Sequence, residues 1–411
     1  MPVLASASMQ HADLIARHLA APGPVPASTP WLAHSLTNGH AGISLLHSER
    51  AHLGQGTWNT AHAWLQTAAA GTISAFDTTG LFQGAAALAF ALDAAAGTTA
   101  HYASALTELD KHLRDLVHRK VNIATQRLST GVPGEFREYD VFFGLAGLGA
   151  LLARRDPAGS ALERVLDHFV ALTRPLRIDG TEVPGWWVGH DPHRRQSAAF
   201  RAGHANLGAA HGITGVLLLL ARTARAGISV DGQHEAITRI CAFLDQWEQH
   251  GDHGPWWPQH LTLEELRTGR STQTGPGRPS WCYGAPGIAR AQQIAAIATG
   301  DTTRACRAQT ALTSVLADAS DSVRLTDLGL CHGWAGTYQT GLRAALDAAD
   351  PDLDAAVDGL AESFTRAALV QPSPGTDPGL LEGAAGIALA LTAAADRAAP
   401  HSGWDACLLI S

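Results

Sequence analysis

One phrase recurs along the chain: a glycine, two further residues, usually a second glycine, and then a short apolar run. The copies start 45 to 72 residues apart. Their first residues are Gly39, Gly84, Gly144, Gly212, Gly284, Gly333 and Gly383. Only the second copy departs from the pattern, with Ala87 where the closing glycine belongs. A repeat of this length indicates an architecture of stacked units rather than a series of unrelated domains.

The apolar runs are rich in Ala and Leu, which favours short buried helices over strands. Between them lie amphipathic segments, such as HYASALTELDKHLRDLVHRK from His101 and ALERVLDHFVALTRP from Ala161, which predict outer helices with one charged face. The last copy is as apolar as the middle ones, whereas an open solenoid needs polar caps at its ends. The repeats therefore predict an all-α chain that closes into an α/α-toroid of seven inner and seven outer helices, a single domain over residues 1–411.

Two segments, residues 175–205 and 250–280, are longer than connections between helices require. Both carry Trp, Pro and Gly, as in GWWVGHDPHRR and GDHGPWWPQHL. We interpret them as insertions over one face of the ring. Their aromatic side chains either capture a peptide or are buried and seal the loops against the helices.

The composition excludes several classes of protein. With 46% hydrophobic and 16% charged residues, the chain can bury a sizeable core and is not disordered. A formal net charge of -8 argues against a nucleic-acid partner. We find no apolar run of about 18 residues that could span a membrane, and no signal peptide. Five cysteines without dense spacing do not make a disulfide framework, so we expect a cytoplasmic protein with reduced thiols.

Aligning the copies places one residue of each directly before its first glycine. These residues are Asn38, Gln83, Phe143, His211, Tyr283, His332 and Glu382. One residue further back, Cys282 and Cys331 occupy equivalent positions in neighbouring copies, so we expect the two thiols and the adjacent His332 to lie together. Thiolate and imidazole are zinc ligands, and three protein ligands with an open fourth position are typical of a catalytic zinc site.

The alternative interpretation of a cysteine is that of a small buried apolar residue, and we apply it to Cys241, Cys306 and Cys407. His211 is either a structural histidine or, because it shares the register of His332, a group that moves protons near neutral pH. Asp140, in EYDVFFGLAG, is either a helix cap or a functional carboxylate.

Arg278, four residues before Cys282, is either a surface residue on a loop or a donor that stabilises an anion. The sequence leaves both interpretations open.

At these residues the chain resembles the LanC family of lanthionine synthetases, the stand-alone cyclases of class I lanthipeptide biosynthesis. The resemblance covers nearly the whole chain and includes the WCYG, CHG and AHG stretches in family order and spacing. It implies an α/α-toroid with a zinc ion held by Cys282, Cys331 and His332. It further implies that four residues surround that zinc: His211, Asp140, Arg278 and Tyr283.

The resemblance also implies the reaction. A cysteine thiolate of a dehydrated precursor peptide, which carries a leader, adds to dehydroalanine or dehydrobutyrine and forms a lanthionine or methyllanthionine thioether ring. No redox cofactor or ATP is needed. The chain has no room for a fused dehydratase, so we expect a separate dehydratase as partner.

Two other functions remain open at this stage. A LanC-like enzyme could add another thiol, such as glutathione, to dehydrated residues, or the chain could be a non-catalytic scaffold that docks a dehydratase and the precursor peptide. The intact set of cysteines and histidines argues against a scaffold, which has no chemical need of them. A purely structural zinc site would be expected to have four protein ligands.

Overall fold

The computed structural model describes residues 2–195, 197–252, 254–321, 324–370 and 377–411. Within these ranges the chain is mainly helical. The α-helices are α1 (Pro2–His18), α2 (His40–His52), α3 (Trp58–Ala68), α4 (Ala85–Ala96), α5 (Ala103–Ser129), α6 (Phe136–Tyr139), α7 (Leu145–Arg155), α8 (Ser160–Leu172), α9 (Ile213–Arg225), α10 (Gln233–Gln246), α11 (Leu263–Thr268), α12 (Ala285–Thr299), α13 (Thr302–Asp321), α14 (Trp334–Asp347), α15 (Pro351–Val370) and α16 (Ala384–Asp396). Two 3-10 helices, Pro30–His34 and Trp404–Leu408, complete the helical part that is described.

Each of the seven repeated phrases begins a helix, and the first glycine of the phrase is its N-cap. These helices are α2, α4, α7, α9, α12, α14 and α16. Most of their residues are buried, as the uniformly apolar runs predicted. The two amphipathic segments form α5 and α8, and α8 buries one apolar face through residues such as Leu162, Val165 and Phe169.

The closing glycine of the phrase has a steric reason. A Cβ at Gly336 would lie 1.7 Å from the carbonyl oxygen of Leu330, in the turn that precedes the helix, so no other residue fits there without moving the backbone. The second copy uses a different turn, in which Gly84 has φ +71°. Its Ala87 is accommodated and fully buried, which explains the departure from the pattern.

The helices group into two compact units. The first comprises Met1–Leu113, Leu316–Cys407 and Ser411, and the second Arg114–Val315 with Leu408–Ile410. The single domain over 1–411 stays a prediction.

In the first unit, main-chain hydrogen bonds join the turns that precede α14, α16 and α2. The amides of Leu330 and Cys331 donate to the carbonyl of Leu381 at 2.7 and 3.0 Å. The amides of Leu380 and Leu381 donate in turn to the carbonyl of Thr37, both at 2.9 Å. Equivalent positions of neighbouring copies therefore meet in this unit, as the alignment predicted.

The second unit repeats the arrangement with the turns before α7, α9 and α12. The amide of Val141 donates to the carbonyl of Ala210 at 3.1 Å. The amides of Ala209 and Ala210 donate to the carbonyl of Cys282 at 2.8 and 3.2 Å. The main chain thus fixes the residues before Gly212 and Gly284 next to each other.

The predicted insertions contain most of the β-structure, although Gln196 and His253 lie outside the described residues. The strands are β1 (Leu176–Ile178), β2 (Thr181–Val183), β3 (His204–Asn206), β4 (Gln249–Gly251), β5 (Gly254–Trp256) and β6 (His260–Thr262). Antiparallel pairs form between β1 and β2, between β4 and β5, and between β3 and β6. The last pair joins the two insertions.

The tryptophans of the insertions are buried rather than presented to a peptide. Trp186, Trp187, Trp256 and Trp257 are each exposed by 7% or less. The indole of Trp187 donates to the carbonyl of Ala202 at 2.8 Å. Of the two interpretations of these aromatic side chains, the structure supports burial within the protein rather than exposure for binding a peptide.

Candidate functional site

Asp140 and His211 form a hydrogen-bonded pair of titratable groups in the second unit. Oδ2 of Asp140 lies 2.6 Å from Nδ1 of His211. Its other oxygen, Oδ1, accepts the amides of Phe143 and Gly144 at 2.7 and 2.6 Å. Asp140 is fully buried, and the side chain of His211 is 27% exposed. The sequence left a cap and a functional carboxylate open for Asp140; the bonds to Oδ1 show the cap, and the functional role stays a prediction.

Aromatic rings hold the imidazole of His211 from two sides. The ring centroids of Phe136 and Phe142 both lie 5.0 Å from that of His211. Because Nδ1 is bonded to the fixed carboxylate, Nε2 is the nitrogen left to face a substrate. A buried carboxylate that is hydrogen-bonded to a histidine in this way holds the ring in one orientation, as required of a group that transfers a proton.

Cys282 lies next to this pair through the hydrogen bonds of its carbonyl to the turn of His211. The residue is 8% exposed. Its Sγ lies 3.5 Å from Oγ of Ser280. The ring of Tyr283, the next residue, is centred 6.4 Å from that of His211. Three residues predicted from the motifs, with Asp140, therefore belong to one site in the second unit.

Asn206 is a polar residue of this site that the sequence analysis missed. It is fully buried on β3, and its Nδ2 donates to the hydroxyl of Tyr283 at 3.0 Å. Its Oδ1 accepts the amide of Gly208 at 3.1 Å. In the sequence, Asn-Leu-Gly before the fourth copy signals only a turn. The contact with Tyr283 could not be foreseen because 77 residues separate the two.

A buried histidine, His204, and a half-buried one, His260, lie near Tyr283. His260 is centred 5.4 Å from the Tyr283 ring and 5.1 Å from the ring of His204. Burial lowers the pKa of His204 to about 4 and that of His260 to about 3. Both imidazoles are therefore neutral near pH 7 and add no positive charge to the site.

Arg278 lies half-buried in the loop before α12. A Cβ at Gly284 would come within 2.5 Å of the Arg278 carbonyl, so the loop packs tightly against the turn that contains Cys282. This places the residue near the predicted site through its backbone. Its role as a donor stays a prediction.

Cys331 and His332 lie in the turn before α14, in the first unit. Both are partly exposed. Nε2 of His332 is 3.6 Å from Oδ2 of Asp327, and Nδ1 is 3.8 Å from Oε1 of Glu382. These separations are longer than hydrogen bonds. Asp327 itself is held by the turn, since its Oδ1 accepts the amide of Gly329 at 3.0 Å.

Among the side chains that the structure describes, one group of cysteine, histidine and acidic residues could hold a metal ion: Cys282, Cys331 and His332. The sequence analysis names the same three residues, and their role as metal ligands stays a prediction. Two sulfurs and one imidazole nitrogen suit zinc and leave a fourth position for a substrate. Carboxylates near both nitrogens of His332 also fit, because metal-binding histidines commonly donate their second N–H to such a group.

For the other three cysteines, burial was predicted, and two of them are buried. Cys241 and Cys407 are buried, as expected of small apolar residues. Burial raises the pKa of the Cys241 thiol to about 12, which makes it unreactive. Cys306 is exposed on α13, so the interpretation as a buried residue is wrong there. The amphipathic pattern of α13 places it on the outer face.

Comparisons with known proteins agree with this description. The sequence model of the family "Lanthionine synthetase C-like protein" matches residues 30–409. Nisin biosynthesis protein NisC of Lactococcus lactis subsp. lactis is 24% identical over 263 residues, which are 63% of this chain and 60% of that protein. The match therefore spans about three fifths of the length of this relative. None of the described helices is long and apolar enough to cross a membrane.

The fold is similar to a solved structure, that of nisin cyclase. The TM-score is 0.77 at 20% sequence identity, and the likeness covers 92% of both chains. This likeness confirms the predicted fold class, an α/α-toroid. Since the family model also spans most of the chain, the resemblance inferred from the repeats and motifs is confirmed, and the chain belongs to the lanthionine synthetase C-like family.

Proposed function

We propose that this protein is a zinc-dependent lanthipeptide cyclase. It adds a cysteine thiolate of a substrate peptide to dehydroalanine or dehydrobutyrine and so forms lanthionine or methyllanthionine rings. Membership of the family supports the reaction class. The observation that carries the proposal is the pairing of Asp140 with His211 next to Cys282 and Tyr283, because it provides an oriented proton donor beside a metal ligand.

We assign Cys282, Cys331 and His332 as zinc ligands. A zinc ion held there would lower the pKa of a substrate thiol, ordinarily about 8.5, so that the thiol reacts as a thiolate at neutral pH. The burial of Cys282 supports this assignment, since a dry site strengthens electrostatic interactions.

The reaction balances without an oxidant or reductant. The sulfur forms a bond to Cβ of the dehydro residue while the π electrons of the C=C bond move onto Cα and the carbonyl oxygen as an enolate. The thiol proton has left to solvent, and a proton is returned to Cα, so S–H adds across C=C. We assign the protonation of Cα to Nε2 of His211, with Asp140 holding the ring and balancing its charge. Arg278 is proposed to stabilise the enolate.

The substrate in this proposal is a dehydrated precursor peptide with a leader, supplied by a separate dehydratase. We place the reaction in the cytoplasm. The five cysteines lack the dense spacing of a disulfide framework, which supports a reducing compartment.

The test uses a dehydrated peptide with a free cysteine, incubated with the purified protein and zinc. Ring closure leaves the peptide mass unchanged but removes one thiol that can be alkylated, and tandem mass spectrometry locates the ring. Addition of glutathione instead raises the mass, so the thiol-transfer alternative is distinguished in the same sample. A reaction without protein measures spontaneous closure.

The matched variants are Cys331→Ala and Cys306→Ala, which remove a proposed ligand and an exposed cysteine on α13. We expect the first to abolish enzymatic closure and the second to leave it unchanged. Closure at the spontaneous rate with the parent protein would refute the proposal and favour the scaffold.

A further inference from the structure

A cavity of about 520 Å³ lies in the first unit, between α1, α2 and the start of α3. This volume is typical of sites that bind small molecules. α1 contributes Asp13 and Arg17 to the lining, and α2 contributes His47 and Arg50. No described residue of the lining is one that we assigned to zinc binding or to proton transfer. The proposed function therefore does not use this cavity.

The charged residues of the lining leave one positive charge in excess. Nη2 of Arg50 donates to Oδ1 of Asp13 at 2.5 Å, and Asp13 is the one acidic residue in the described lining. Arg17 is exposed and makes no ion pair within the described ranges. Burial lowers the pKa of His47 to about 4, so its imidazole is neutral near pH 7. Two arginines thus share one carboxylate, which favours an anionic ligand.

The guanidinium of Arg50 has one nitrogen that still needs an acceptor. Arg50 is exposed by only 7%, and its Nη1 is buried without a hydrogen-bond partner in the part of the chain that the structure describes. A buried charged donor without an acceptor is unfavourable, so a ligand oxygen that reaches Nη1 would be stabilised. A Cβ at Gly56 would lie 3.0 Å from Cβ of Arg50, which places this side chain directly against the segment that begins α3.

The start of α3 adds further donors to the same cavity, which Thr57 and Thr60 both line. Oγ1 of Thr57, the N-cap residue, accepts the amide of Thr60 at 3.2 Å, and the two hydroxyl oxygens lie 3.0 Å apart. One hydroxyl hydrogen lies between these oxygens, so the other has no acceptor among the described residues. The amides of a first helical turn also have no partner within the helix, and this end of a helix attracts anions.

We propose that this cavity binds a phosphate group. Arginine side chains and the amides of a helix N-terminus are frequent donors to phosphate, and here Arg17, Arg50 and the start of α3 border one cavity. A phosphate group offers at least three acceptor oxygens, whereas a carboxylate offers two, so the number of donors favours phosphate. Ala16 and Ala20 make part of the lining apolar. The group is carried by inorganic phosphate or by a small phosphate monoester.

Calorimetric titration of the purified full chain tests the site without an assay of ring closure. The probes are inorganic phosphate, glycerol 3-phosphate and, as a carboxylate, acetate, at pH 7.5 and constant ionic strength. We expect one phosphate per chain, bound at least about 10-fold more tightly than acetate. Tighter binding of glycerol 3-phosphate would identify a monoester as the ligand, and tighter binding of inorganic phosphate would identify the free ion. Equal binding of acetate, or no binding of either phosphate, would overturn the proposal.

Arg17→Gln removes a donor from the cavity at an exposed position, so the fold should be retained. We expect the affinity for phosphate to fall about 10-fold. Arg366→Gln, which removes an exposed arginine of α15, is the matched control and should change the affinity by less than about 2-fold. Equal weakening in both variants would mean a non-specific attraction to surface charge and would refute the site.

Arg50→Lys tests the buried donor. Lysine keeps the positive charge beside Asp13 but lacks the planar fork, so the affinity should again fall about 10-fold. Phosphate should raise the Tm of the parent protein more than that of either Arg17→Gln or Arg50→Lys. If Arg50→Lys does not fold, Arg17→Gln decides alone. Unchanged affinity in the folded variants would contradict the proposal.

Cys331→Ala separates this site from the proposed zinc site, because phosphate can also bind a metal ion. We expect this variant to bind phosphate as tightly as the parent protein does. Loss of phosphate binding together with zinc would move the anion to the metal and overturn the assignment to the cavity.

Discussion

His211 and His332 occupy the same place in the repeat, directly before the first glycine of a phrase, yet the protein treats them differently. His211 is bonded at 2.6 Å to a fully buried carboxylate. His332 has carboxylates 3.6 and 3.8 Å from its two nitrogens, and both distances are longer than a hydrogen bond. The described contacts therefore hold the imidazole of His211 more closely than that of His332. This difference agrees with the proposed roles of His211 as a proton donor and of His332 as a metal ligand.

The largest effect on ring closure should come from removing the imidazole of His332. We expect His332→Ala to lower zinc content from about one per chain to a small fraction and to slow ring closure by about 1000-fold. Metal analysis of the purified proteins measures the first quantity and thiol alkylation the second. His211→Ala should slow closure but retain zinc. Equal zinc loss in both variants would erase the distinction between the two histidines.

Asp140→Asn should change the hydrogen bond to His211 without affecting the proposed zinc ligands. The amides of Phe143 and Gly144 require an acceptor, so the oxygen of the introduced side-chain amide would face them and its nitrogen would face Nδ1 of His211. Nδ1 would then accept a hydrogen bond instead of donating one, so the ring would be held in the other tautomer. We expect kcat to fall by about 100-fold with zinc content unchanged. Unchanged kcat would exclude His211 as the proton donor.

His204 and His260 show what burial does to an imidazole. In the unfolded chain each binds a proton near pH 6.5, but in the folded protein only near pH 4 and pH 3. The unfolded state therefore binds more protons as pH falls below about 6.5. The stabilisation from neutral burial is complete above that pH and is lost as pH decreases, by about 1.4 kcal/mol per pH unit for each histidine.

Urea unfolding at pH 7.5 and pH 5.0 measures this loss, about 2 kcal/mol per histidine. His260→Leu should reduce the difference in the free energy of unfolding between pH 7.5 and pH 5.0 by that amount. The control is His62→Gln, a change at an exposed histidine of α3. An identical pH dependence in His260→Leu and the parent protein would contradict the neutral burial of His260.

The sequence predicted most of what lies within one repeat and little of what passes between distant segments. Each glycine phrase specified a helix start. In five phrases the closing glycine packs against the carbonyl of the residue six positions earlier, and these glycines are Gly42, Gly215, Gly287, Gly336 and Gly386. The register of Cys282 and Cys331 followed from the same local pattern. The position of Asn206 did not follow from a local pattern, because it depends on the pairing of β3 with β6. Nothing in the residues around it encodes that partner.

Asp140 shows a second limit of sequence reasoning. A carboxylate four residues before a glycine predicts a cap, and the cap is present at Oδ1. Its second oxygen has a partner 71 residues away, which no local pattern reveals. The prediction that Cys306 is buried was wrong for a simpler reason. It was based on residue type alone, and Cys306 is exposed on α13.

Asp327→Asn should have the smallest effect, a change in zinc affinity. It tests which carboxylate supports His332. The turn fixes Asp327 through the bond from the amide of Gly329 to Oδ1, whereas Glu382 is exposed. If a metal draws His332 into place, Oδ2 of Asp327 can accept its Nε2–H and leave Nδ1 for the metal. Losing that carboxylate should weaken zinc binding by about 10-fold, measured by competition with a chelator. The turn is retained, because the oxygen of the introduced side-chain amide can still accept the Gly329 amide. Glu382→Gln is the matched control and should change the affinity less. The opposite order would make Nε2 the metal-binding nitrogen and Glu382 the group that supports His332.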